Sequence, residues 1–214
     1  MRVVIAGGHG QIALLLERML AERGDAAVGV VRTADHVADV EEAGAEAVLL
    51  DLEKTDVKSL ADVLSGADAV VFAAGGGPAS GAARKETVDK GAAVLLADAA
   101  ERAGVRRYVM VSSMGTENAD PVSDDVFQVY LRAKKAADDD LRARDLDWTV
   151  VRPGRLTDDP PGGRVQVGKL ARGSIPRADV AAVLAAVLTT ESTIGTTFDL
   201  LEGNQTIDAA LAGL

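Results

Sequence analysis

Apolar residues alternate along this chain between two rhythms. Short runs at 3–6, 27–31, 47–50, 69–73, 108–111 and 149–151 are apolar almost throughout. A strand covered on both faces needs such a run, because successive side chains point to opposite sides and neither side meets water. Between the runs lie longer stretches, at 11–23, 34–43, 56–64, 83–103 and 127–144, whose apolar positions recur every three or four residues. That period lays one apolar stripe along a helix. Gly24, Gly44, Gly66 and Gly104 close several of these stretches, and glycine accepts the left-handed backbone that ends a helix. Strand and helix in repeated alternation predict an α/β fold, with a doubly wound parallel sheet and helices on both faces. The last third is less regular. Residues 153–174, rich in proline, glycine and arginine, are expected to form a loop. A helix over 178–190, a short strand near Phe198 and a terminal helix near 206–213 are expected to follow.

Bulk properties narrow this picture. The 214 residues suit a single domain spanning 1–214, with 153–176 and the C-terminal tail left over as a small substrate-side lid. Hydrophobic residues make up 48% and aromatics 3%, so the core is expected to be aliphatic. A formal net charge of -10 argues against nucleic acid or an anionic membrane as partner. The absence of cysteine excludes disulfides, thiolate catalysis and zinc–thiolate sites. With no basic segment and apolar core ahead of the first strand, and no apolar run of about 18 residues, a cytoplasmic location is expected.

The first strand runs directly into Gly7-Gly8-His9-Gly10-Gln11-Ile12-Ala13 and then a helix. Gly8, Gly10 and Ala13 fit a G-x-G-x-x-G/A spacing, and Gly7, Gly10 and Ala13 fit G-x-x-G-x-x-G with alanine last. Small residues here let the chain turn sharply and bring backbone N–H groups against a pyrophosphate at the positive helix N-terminus. This placement predicts a Rossmann-type dinucleotide site over Gly8–Ile12. NAD-selective folds often carry an acid at the end of the second strand, for the ribose 2′-hydroxyl. Here Arg32 stands there, suited to a 2′-phosphate, so NADP(H) is the expected cofactor, with NAD(H) also possible. Asp51 and Leu52 follow the third strand, where a carboxylate can accept from the adenine amino group. Ala73, Ala74 and Gly75 end the fourth strand with small side chains that let the cofactor lie close. His36 is expected on the surface. With His9 and His36 the only histidines, no metal site is expected.

Chemistry is expected at the carboxyl end of the fifth strand, where Ser112 and Ser113 present two hydroxyls. On the next helix Phe127, Tyr130, Lys134, Ala137 and Leu141 share one face, which is apolar except for Lys134. A buried lysine is costly unless it is paired or lines a polar site. An ammonium one turn from Tyr130 would lower its pKa from about 10 toward the working pH, so that it could pass a proton to or from a carbonyl oxygen.

These residues together resemble the short-chain dehydrogenase/reductase superfamily over nearly the whole chain. The nearest likeness is to its atypical branch of epimerase/dehydratase-like and flavin-reductase-like proteins. The segments 104–113, 146–154 and 175–181 have the look of that branch. The resemblance implies Ser113 as catalytic hydroxyl, Tyr130 as acid/base and Lys134 as the holder of the nicotinamide ribose. It also implies Pro153, Gly154 and Arg155 beside the nicotinamide, Ser112 near the cofactor, and a structural Asp179. The activity implied is an NADP(H)-dependent oxidoreductase acting on a small carbonyl, quinone or flavin-like acceptor. A non-catalytic NADP(H) sensor and a sugar-nucleotide epimerase/dehydratase-like enzyme are the alternatives, the second disfavoured by the short C-terminal region. A small-molecule substrate and a monomer or homodimer are expected.

Overall fold

The structure is a computed structural model that describes residues 1–77 and 80–214. Its first half alternates strand and helix. In chain order come β1 (Arg2–Ala6), α1 (Gln11–Glu22), β2 (Ala26–Val31), α2 (Val37–Glu42), β3 (Glu46–Leu49), α3 (Val57–Val63) and β4 (Ala69–Phe72). One helical rod follows, made of α4 (Ala82–Arg84), a π-helical stretch (Lys85–Ala92) and α5 (Ala93–Ala103). Then come β5 (Arg107–Val111), α6 (Val126–Arg142) and β6 (Asp147–Pro153). Among the described residues β1 to β6 are joined by parallel pairing in the order β3-β2-β1-β4-β5-β6. The order reverses at β1, which pairs with β2 on one side and β4 on the other. That reversal opens a crevice at the carboxyl ends of the strands.

The apolar runs do what two-sided burial demands. Val3 and Ile5 of β1 join the apolar cluster on one face of the sheet, with Leu16 and Leu20 of α1. Val4 and Ala6 join the cluster on the other face, with Leu60 of α3 and Leu96 of α5. Gly24, Gly44, Gly66 and Gly104 all take positive φ, as their places after helices require.

The region 153–174, expected as a loop, is partly strand. It contains β7 (Arg155–Thr157) and β8 (Arg164–Gly168), and β9 (Ser174–Pro176) follows directly. β8 lies antiparallel to β10 (Thr196–Glu202), which itself runs parallel to β6. β11 (Gln205–Thr206) pairs on the far side of β8, and β7 pairs with β9 as a separate ribbon. Val165 and Val167 of β8 alternate with exposed Arg164 and Gln166, so the run lacks the continuous apolar signal of a central strand. The antiparallel edge makes the sheet mixed rather than purely parallel. Arg177–Val187 forms α7 and Ile207–Leu211 forms α8. Asp179 accepts from the amides of Gly162 and Gly163, both at 2.9 Å, and so ties the segment before β8 to α7.

Candidate functional site

The glycine loop owes its residues first to packing. Gly7 has φ +87°, and a Cβ there would lie 2.6 Å from the Ala74 Cα. A Cβ on Gly8 would lie 2.6 Å from the Gly29 Cα of β2. Neither neighbour can give way, because each is backbone. Gly10 is the N-cap of α1, and among the described residues no side chain caps that helix. The amides of the first turn then have no intrahelical acceptor and the helix dipole points at the loop, which is an anion-binding arrangement. His9 Nε2 lies 2.6 Å from Asp39 Oδ2, and its ring stacks on His36 at 3.6 Å between centroids. His36, expected on the surface, is half-buried by that stack. Gln11 and Ile12 open α1, with Ile12 turned into the core.

Beside the loop, Arg32, Thr33, Asp51, Glu53 and Lys54 line a cavity of about 430 Å³. Burial alone would raise the pKa of Asp51, but the Glu53 amide, Lys54 and Arg32 hold its carboxyl below the usual range. Leu52 packs against the core, and Ala73 and Ala74 are half-buried at the end of β4. Gly75 is exposed, and a Cβ on it would lie 3.1 Å from Asp89 Oδ1.

At the reacting end, Ser113 and Tyr130 come together. The Ser113 hydroxyl donates to the Met114 carbonyl at 3.2 Å, and it lies near enough to the Tyr130 phenol to pull that group's pKa down. The Met114 amide donates to the Pro153 carbonyl at 3.1 Å, which joins the ends of β5 and β6. Gly154 packs so closely on Leu201 and Gly173 that a Cβ could not fit, and Arg155 stands exposed on β7.

Three expectations need correction here. Ser112 turns inward and gives its hydroxyl to Asp138 at 2.9 Å, so its side chain is spent on the interior. Lys134 is sealed in: its Nζ donates to the Val111 carbonyl at 3.0 Å, lies 3.6 Å from Asp89 Oδ1, and sits over the Phe72 ring. Tyr130 consequently feels no lowering from it. Burial pushes the Tyr130 phenol up to about 12; the Ser113 hydrogen bond works against this, and the Asp89 and Asp138 carboxylates add to it. The shared face of α6 also begins later than expected, since Phe127 is 58% exposed. It lies at the first turn, capped by the Asp125 carboxylate, with its ring stacked on Tyr130 at 6.0 Å.

A family model described as NAD(P)H-binding matches residues 7–191. The chain belongs to the NAD(P)H-binding family. It is 37% identical over 216 residues, covering all of both chains, to YhfK of Bacillus subtilis, named an uncharacterized sugar epimerase. A solved structure from Bacillus halodurans, named as a candidate NAD-dependent epimerase/dehydratase, superposes with a TM-score of 0.92 at 36% identity over 100% of both chains. The oxidoreductase ylbE from Lactococcus lactis superposes with a TM-score of 0.87 at 27% identity, over 100% of this chain and 96% of its own.

This NAD(P)H-binding chain carries, around Tyr130, a buried ionic cluster that the sequence reading missed. Asp89 on the π-helical stretch accepts from the Gly76 amide at 3.1 Å and faces Lys134. Lys85, one turn earlier, bonds to the Gly77 carbonyl at 2.6 Å and lies over the Tyr130 ring. Asp138 takes Ser112 and, at 2.8 Å and 3.0 Å, Arg152. Arg152 also reaches Glu117 at 2.8 Å. One signal was available: Lys85 and Asp89, like Lys134 and Asp138, stand four apart in helices with apolar neighbours. Such opposite charges share one face.

Proposed function

We propose that this chain is an NADP(H)-dependent oxidoreductase that reduces a small carbonyl, quinone or flavin-like acceptor. The observation that carries this reading is the uncapped glycine turn into α1, flanked by the Arg32-lined cavity. Its residues fit a dinucleotide: backbone amides at Gly8–Ile12 for the pyrophosphate, Arg32 for a 2′-phosphate, and Asp51 for the adenine edge. When bound, the nicotinamide supplies a hydride. The chain's own task is then to place the acceptor and to manage a proton. Tyr130 Oη keeps its proton at neutral pH, because its pKa stands near 12. It is therefore suited to giving that proton to a carbonyl oxygen in reduction, and poorly suited to removing one in oxidation. Ser113 Oγ, beside it, can donate to the same oxygen. Lys134's commitment to Val111 and Asp89 favours acceptors that make little demand on proton machinery, such as quinones and flavins. The test is calorimetric titration with NADPH and NADH, then an NADPH-consumption screen over aldehydes, ketones, quinones and flavins. Binding of NADPH with turnover of at least one acceptor is expected. Binding of neither dinucleotide overturns the reading, and binding without turnover of any acceptor leaves a sensor.

A further inference from the structure

The adenosine-side cavity holds an acid that the order of residues along β2 does not place there. The usual reader of the ribose 2′ position is an acid at the end of β2, and this chain has Arg32 instead. The fold delivers Glu53 to that arginine from the segment after β3, with Oε2 3.5 Å from Arg32 Nη1. The same oxygen receives Nε and Nη2 of Arg84 at 3.2 Å and 3.0 Å. Oε1 receives the Thr87 hydroxyl at 2.7 Å. The Thr87 hydrogen bond, with Arg84 behind it, outweighs burial and holds the Glu53 carboxyl below the usual range. Two guanidinium groups from different elements thus meet on one anchored carboxylate at the cavity wall.

We propose that Glu53 is a specificity-determining residue that reads the ribose 2′ position against Arg32. The proposal rests on the cofactor assignment above. An ionised carboxylate accepts well from a 2′-hydroxyl. It repels a 2′-phosphate, and it occupies Arg32 and Arg84, the two cations that would otherwise receive that phosphate. Arg32 alone would make the site strongly selective for NADP(H). Glu53 narrows that selectivity and keeps NAD(H) usable. Glu53→Gln keeps the shape and the Thr87 contact while removing the charge, which frees both arginines.

The test is calorimetry with NADPH, NADH and the half-molecules 2′,5′-ADP and 5′-AMP, on wild type, Glu53→Gln and Arg84→Met. Thermal melts verify that each variant is folded. Glu53→Gln is expected to tighten NADPH and 2′,5′-ADP about tenfold relative to NADH and 5′-AMP. Arg84→Met is expected to move the ratio the other way, because one phosphate-seeking cation is gone. If Glu53 instead serves only to orient Arg32 for the phosphate, Glu53→Gln weakens NADPH, and that result, like an unchanged ratio, overturns the proposal. Wild type that binds neither dinucleotide defeats the function reading itself, whereas wild type that binds both with a fixed ratio in Glu53→Gln defeats this inference alone.

Discussion

Tyr130 is the residue on which the chemistry turns. Its half-buried ring lies between Phe127 and the Lys85 ammonium, and nearby Ser113 pulls its pKa down against burial. Tyr130→Phe keeps the packing and removes the proton. Turnover of a carbonyl acceptor should fall about 100- to 10,000-fold, the usual contribution of a general acid, with NADPH affinity nearly unchanged. Quinone or flavin reduction should survive the change. Full carbonyl reduction in the variant sinks the assignment. The raised pKa adds a second expectation. A phenol near 12 stays protonated from pH 7 to 10, so the rate of carbonyl reduction should show no basic limb from Tyr130 in that window. A limb near pH 8 that disappears in Tyr130→Phe would mean that an ammonium does lower this tyrosine. Arg32 acts at the other end of the crevice. Arg32→Ala should weaken NADPH about ten- to a hundredfold and leave NADH nearly alone, as measured by titration. Equal weakening of both would remove Arg32 from the 2′ position.

At the scale of elements, α1 and β2 meet through glycine. A Cβ on Gly8 would collide with the β2 backbone at Gly29, whereas one on Gly10 would meet nothing nearer than the Gly7 carbonyl at 3.2 Å. Gly8→Ala should therefore lower stability by about 1–3 kcal/mol and weaken NADPH binding, since the loop must move away from β2. Gly10→Ala should be milder on stability. Melting temperatures of the two variants side by side decide this, and equal losses would contradict the packing account. The start of α1 was legible from the glycine turn that opens it, and α6 begins one residue before and ends two before the 127–144 read from its period, with Asp125 as its cap. The π-helical stretch 85–92 was not legible, since its residues have an ordinary helical period and only its contacts distinguish it.

For the molecule as a whole, the notable group is Glu17. It lies on α1 with no exposed surface, and neither carboxyl oxygen has a hydrogen-bond partner among the described residues. Burial pushes its pKa from 4.5 up to about 8. A group raised in the folded state holds a proton that the unfolded chain releases. Its contribution to stability is complete below about pH 4.5 and is lost as pH rises through about 8. Between those limits the slope is at most about 1.4 kcal/mol per pH unit. Glu17→Gln removes that slope, so its stability relative to wild type should grow from pH 5 to pH 8 in denaturant titrations. A pH-independent difference would show that Glu17 is ionised in the fold.

The sequence by itself determined the sheet's central strands, the glycine turn, and the places of Ser113 after β5 and Tyr130 on α6. Each of these is local or periodic: an apolar run, a spacing, or a serine at the carboxyl end of a strand followed by a tyrosine on the next helix. Only the tertiary structure decided what those residues face. Lys134 and Ser112 satisfy a residue-type pattern for a cofactor site, yet the fold turns both toward buried carboxylates, Asp89 and Asp138. Glu53 lies 21 positions from Arg32 and shares its cavity only because β2 and β3 lie side by side. The strand β8, between β10 and the short edge strand β11, is stabilised by pairing with both rather than by an apolar run of its own. A pattern along one strand or helix records which face is buried. It does not record which charge, arriving from a distant part of the chain, will be buried with it.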